Sequence, residues 1–89
     1  LKETLVQLVI FLNMKDIDCL AKGVSDTSIV SELIFRALRL RQMSGGSGQD
    51  VFVLCSDTEA RELLRHAQAQ CEECVEKIRR AFQMAGVTP

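Results

Sequence analysis

Cys71-Glu72-Glu73-Cys74 is the stretch of this chain whose residue types and spacing could do chemistry. A C-x-x-C pair can exchange thiols for a disulfide, and the chemistry works best where the first cysteine opens a helix, because the helix dipole favours the thiolate. The same pair can supply half of a zinc site, which then needs two more ligands. Cys19, Cys55 and His66 are the remaining cysteines and the sole histidine. No second C-x-x-C and no histidine pair accompanies them, so no metal and no cofactor is expected. His66 follows Glu62 by four residues on the polar side of a helical pattern and is expected to be solvated. No serine or cysteine is visibly paired with it as a nucleophile. Paired carboxylates and a glycine-rich phosphate loop are also absent from the pattern, so the chain is not expected to be an enzyme.

The element that positions the C-x-x-C decides between these readings. From Asp57 to Ala85, apolar residues stand at Ala60, Leu64, Ala67, Cys71, Cys74, Ile78, Ala81 and Ala85. The spacings alternate four and three, which is a heptad seam. This predicts one helix of about 29 residues, some 43 Å long. Ser56-Asp57-Thr58-Glu59 opens it as a capping box, and Gly86 ends it. On that helix the C-x-x-C lies in the middle, with both cysteines on the buried seam. They are therefore read as reduced core cysteines of an intracellular protein, cytoplasmic or nuclear.

Two more helices are predicted upstream. Over Lys2 to Met14, Leu5, Leu8 and Leu12 share one helical face while Val6, Val9, Ile10 and Phe11 fill most of the rest, as in a buried helix. The β-branched content leaves a strand open for Val6 to Leu12. Asp16 is placed to cap a short helix over Ile17 to Lys22, stopped by Gly23. Ser25 or Asp26 then caps a helix whose apolar positions include Val30, Leu33, Ala37 and Leu40. "DVFVLC" at 50–55 reads alone as a strand. With no obvious partner to make a sheet, it is taken as an extended lead-in or a first helical turn. Ser-Asp-Thr occurs at 25–27 and again at 56–58; shared capping chemistry, rather than an internal repeat, accounts for it.

The expected fold is all-α: a small antiparallel bundle of three or four helices with one long heptad-patterned C-terminal helix. Composition agrees with that, since hydrophobic residues make up 47% of the 89 and there is no Trp or Tyr and a single Pro. A net charge of −1 gives no general attraction to nucleic acid or anionic lipid. The longest apolar run, Leu8 to Leu12, is far shorter than a membrane span, and no leader-type flank frames it.

Ser44-Gly45-Gly46-Ser47-Gly48 separates two segments, 1–43 and 50–89. Residues 44–49 read as a flexible, engineered tether that joins them into one compact domain. The helices at 2–14 and 28–43 carry more apolar surface than one partner helix can cover, and exposed excess marks an interaction site. The expected function is therefore protein–protein interaction or oligomerisation: two helical segments fused by a linker. Partners are the other segment of the same chain and a second copy or another helical protein. The seam is assigned to Leu5, Leu8, Leu12, Val30, Leu33, Ala37, Leu40, Leu64, Ala67, Cys71, Cys74, Ile78 and Ala81. Phe11, Phe35 and Leu38 are the residues expected to face a partner.

Gly23-Val24-Ser25 followed by Ser28-Ile29 resembles the turn and recognition-helix start of bacterial helix-turn-helix proteins. That resemblance covers about 18 residues and implies DNA binding, with the long helix as a dimerising element. Lys22 interrupts the usual spacing. The residues that would read bases, Asp26, Thr27, Ser28, Ser31 and Glu32, include no Arg or Lys and two carboxylates. They are poorly suited to approach phosphate, and nucleic acid is set behind protein as the partner.

Overall fold

The computed structural model describes residues 6–43, 45 and 50–89. Its order is β1 (Gln7–Asn13), α1 (Met14–Leu20), α2 (Ile29–Met43), β2 (Asp50–Ser56), α3 (Asp57–Gln70) and α4 (Glu72–Ala85). The fold is thus mixed α/β and not all-α. The stretch expected as the first helix is a strand, and 50–55, taken as an extended lead-in or a first helical turn, is its missing partner: β1 and β2 pair antiparallel, from Gln7 opposite Ser56 to Asn13 opposite Asp50. An extended stretch without a partner leaves its backbone groups unpaired. Two together close a ladder and suit the Val, Ile and Phe they contain.

Both strands alternate in burial. Leu8, Ile10 and Leu12 point inward opposite Cys55, Val53 and Val51, and all six are nearly inaccessible. The inner face is roofed by helices in a reciprocal way. α4, from the second half of the chain, packs on β1, and α2, from the first half, packs on β2. Each half is a strand followed by two helices, and each lends its last helix to the other half's strand. The buried residues form one hydrophobic cluster drawn from both halves, with Phe82, Ile78, Leu33 and Leu63 among its largest fully buried members.

Each strand runs straight into a capped helix. Asn13 accepts the amide of Asp16 (2.8 Å) while the Asp16 carboxylate accepts the amide of Asn13 (2.9 Å). Ser56 and Glu59 repeat the arrangement at 3.2 and 2.8 Å. Asp16 therefore stands at the third helical position of α1, rather than capping a helix that starts at Ile17. The start of α2 also shifts, since Ser28 rather than Ser25 or Asp26 accepts the amide of Ser31, at 3.1 Å. So the two Ser-Asp-Thr triplets are not equivalent: one precedes a loop residue that caps α2, the other opens α3.

The single 29-residue helix is two helices. Cys71 leaves the helical region (φ −149°, ψ 77°), ending α3 and serving as the N-cap of α4. The seam continues across the break because both helices bury the same side: Ala60, Leu64, Ala67, Cys71, Cys74, Ile78 and Ala81 are all buried. Gly86 closes α4 in the left-handed conformation (φ 71°), donating its amide to Gln83 O at 3.1 Å. Among the described residues, no helix is long and apolar enough to cross a membrane.

Candidate functional site

The outer face of the sheet carries an apolar ladder. Val9 stands opposite Leu54 and Phe11 opposite Phe52, with exposures of 39%, 38%, 60% and 39%. The Phe11 and Phe52 rings are 6.5 Å apart between centroids and tilted by 49°. Such cross-strand aromatic pairs contribute roughly 0.5–1 kcal/mol to a sheet, much less than burying the rings would. Two grooves flank the ladder. One, of about 490 Å³, runs between β1 and α4 and is lined by Phe11, Phe52, Lys77, Arg80 and Met84, with Asp50 at its end. The other, of about 410 Å³, runs between β2 and α2 and is lined by Leu54, Phe35, Met43, Arg36 and Arg39, with Glu32 beside them. The basic side chains outnumber the acidic ones in each groove.

Of the residues expected to face a partner, Phe11 and Phe35 are exposed on or beside this face, whereas Leu38 is half-buried and packs on the core. Of the assigned seam, Leu5 lies outside the described residues and Leu40 is half-buried. Leu8, Leu12, Val30, Leu33 and Ala37 are buried with the α3 and α4 residues named above. Gly45 is the one described residue of the expected tether at 44–49. Phe52, Leu54, Met43 and Met84 are not among the residues assigned from sequence; Phe52 and Leu54 are missed because 50–55 is not assigned there as a strand.

Two cations in the grooves are fixed by the acids of the capping boxes. Lys77 pairs with Asp16, and Arg36 grips Glu59 with both guanidinium nitrogens (3.2 and 3.3 Å) while donating to Leu54 O at 2.9 Å. Burial pushes the Asp16 carboxyl up. The hydrogen bonds from Lys77 and the Asn13 amide, with the Lys77 charge, outweigh it and hold the group below its ordinary range. Glu59 is lowered by the Arg36 hydrogen bonds against burial, helped by the Ser56 amide. Lys77 and Arg36 are raised in turn by those carboxylates.

A second cluster forms where α3 gives way to α4. The Cys71 and Cys74 sulfurs are 2.8 Å apart. The Cys74 thiol also donates to Asp16 Oδ1 at 3.6 Å. Burial, then the Cys71 thiol and the Asp16 charge, push the Cys74 thiol far up. Half-exposed Cys19, at the end of α1, donates to Gln70 O at 3.7 Å, and the neighbouring Cys71 thiol, with burial, pushes the Cys19 thiol up. The C-x-x-C thus opens a helix, contrary to the mid-helix position that removed it from redox chemistry. The signal was Glu72-Glu73: acids in a first turn complement the positive end of a helix, and here they follow the cap directly. No grouping of three or more ligand-type side chains suited to a metal occurs among the described residues.

His66 is half-buried rather than solvated. Its Nε2–H donates to Leu20 O at 2.6 Å and so satisfies a carbonyl at the open end of α1. Of the two helices that the helix-turn-helix resemblance covers, α1 packs mainly on α3, β1 and α4, and α2 mainly on β2 and α3. Set against known proteins, the chain matches no protein family, no curated protein and no solved structure.

Proposed function

We propose that this chain is a non-catalytic protein-interaction module whose docking surface is the outer face of the β1–β2 sheet. The observation that carries the reading is the exposed ladder of Val9, Phe11, Phe52 and Leu54. A solvated sheet face ordinarily alternates to polar side chains, as the inner and outer positions of an antiparallel sheet do. Here the outer positions are apolar as well, and Phe35, Met43 and Met84 extend the surface at its rims.

The occupant that fits is an amphipathic helix of another protein, with carboxylates beside its apolar stripe. A helix about 10 Å in diameter can rest on a two-stranded ribbon between such rims. Seven residues of strand span about 23 Å, the length of roughly 15 helical residues. Arg80 and Arg39 are exposed at opposite rims, whereas Lys77 and Arg36, nearer the sheet, are already paired with Asp16 and Glu59. A second copy docked face to face would bring the rim arginines against their own kind, which disfavours it.

Titration of the chain with a synthetic amphipathic peptide, its Leu/Phe stripe flanked by Glu, tests this by amide chemical shifts. The expected shifts fall on Val9, Phe11, Phe52, Leu54 and the rims, and weaken when Lys replaces Glu in the peptide. No shift on that face overturns the reading. Concentration-dependent self-association through the same face overturns the choice of occupant.

A further inference from the structure

We infer that Cys71 and Cys74 are a reversible dithiol–disulfide pair, charged by thiol–disulfide exchange that enters through Cys19. The site is distinct from the docking face and is linked to it through Asp16, which meets both Cys74 and Lys77. Three observations carry it. The two sulfurs are in contact at 2.8 Å across the first turn of α4. The Cys74 amide donates to Cys71 O at 3.0 Å, a turn that keeps the two Cα atoms about 5–6 Å apart, inside the range a disulfide accepts, so closure needs side-chain rotation more than backbone movement. And Cys71 (3% exposed) and Cys74 (0%) are shielded from a bulky reagent, while half-exposed Cys19 reaches the carbonyl of Gln70, the residue before Cys71.

The exchange balances with a low-molecular-weight disulfide, R–S–S–R, as oxidant. The Cys19 thiolate attacks one of its sulfurs, forming Cys19–S–S–R and releasing RS⁻. The Cys71 thiolate attacks the Cys19 sulfur, forming a Cys19–Cys71 bridge and releasing the second RS⁻. Cys74 then attacks the Cys71 sulfur, its proton passing to the departing Cys19 sulfur, while Asp16 Oδ1, which accepts from the Cys74 thiol beforehand, orients it. Cys19 leaves as the thiol. Two protein thiols have lost two electrons and two protons, and R–S–S–R has become two R–SH. Reduction runs the same steps backward, with Cys74 leaving and taking a proton. Its strongly buried surroundings disfavour the thiolate, so the oxidised pair is expected to reopen slowly.

The test is incubation of the reduced, folded chain in glutathione buffers of rising glutathione-disulfide content. Samples are quenched in acid, blocked with N-ethylmaleimide and read by intact mass and peptide mapping. The expected product is about 2 Da lighter before blocking, carries a Cys71–Cys74 bridge, takes two maleimides rather than four, and returns on adding dithiothreitol. Cys19→Ala should reach the same bridge at least about tenfold more slowly. Cys74→Ala should stop at a Cys19–Cys71 bridge, and Cys71→Ala at glutathione on Cys19. Circular dichroism confirms that each variant is folded. Glutathione accumulating on Cys19 of the native sequence with no 71–74 bridge overturns the inference, as does a bridge that forms only in urea. A Cys19→Ala rate equal to that of the native chain overturns the entry route.

Discussion

Asp16 and Glu59 are counterparts. Each stands three residues beyond the N-cap that ends its strand, accepts the cap's own amide, and binds a cation from a helix packed at its side: Lys77 of α4 for Asp16, Arg36 of α2 for Glu59. Each thereby pins a helix terminus and a distant helix with one carboxylate. Because the folded carboxyls lie below their ordinary values of 3.8 and 4.5, the unfolded chain binds more protons there in acid. Their stabilisation is complete above those ordinary values and is lost as the pH falls through the lower folded ones. Thermal melting between pH 7 and pH 2 should show a midpoint that falls in this acid window. Lys77→Met should flatten that fall and cost about 1–2 kcal/mol at neutral pH, a modest figure because the lysine is partly exposed.

Ile78 is fully buried on α4 beneath the sheet. Ile78→Ala should cost about 2–4 kcal/mol in urea melts, by lost burial and a cavity. Ile78→Asp and Leu64→Asp should leave no cooperative transition, since a charge would enter the core. Native-like melting of either Asp variant would mean that the buried face of these helices is misassigned.

The outer ladder should behave in the opposite sense. Phe11→Ser with Phe52→Ser removes exposed rings, so stability should change by about 1 kcal/mol or less. Affinity for the Glu-flanked peptide should fall by at least about tenfold, or 1.4 kcal/mol. Isothermal titration alongside urea melts of the same variant separates the two quantities.

That same ladder explains what the sequence concealed. Strand alternation is read from polar residues between apolar ones, and in "LVIFL" the outward positions, Val9 and Phe11, are apolar too. The inward residues Leu8 and Leu12 happen also to be four apart, so a two-residue period passed for a helical one. The capping box at Ser56 was legible because its chemistry is local. The break at Cys71 was not, because no Gly or Pro marks it and the heptad seam runs through it unchanged. The role of Asp16 was half legible: its place near a helix start could be read, but its partner Lys77 lies 61 residues away.

Cys55 should be the last thiol to react. It faces inward from β2 with 1% exposure, and burial, with the nearby Glu59 charge, pushes its thiol up to about 11. Iodoacetamide at pH 8 should label Cys19 first in the folded chain and Cys55 only as fast as the protein opens. Mass mapping over time checks the order, and early labelling at Cys55 would contradict its placement.

Gly86 should resist substitution. Space is open around it, with nothing beyond its chain neighbours within 4 Å of where a Cβ would stand, so the cost of Gly86→Ala comes from its positive φ. A loss of about 1 kcal/mol in denaturant melts is expected, with fraying of the last turn of α4 visible in hydrogen exchange.

The exchange of closing helices between the two halves has a consequence for molecularity. Neither 1–43 nor 50–89 holds both a strand and the helix that roofs it, so neither can form a covered sheet alone. While joined, the halves meet as one chain, at an effective concentration on the order of mM set by the connecting residues. Cut between residues 43 and 50, folding becomes a second-order reaction. The midpoint of melting would then rise with protein concentration, as it does for an obligate heterodimer.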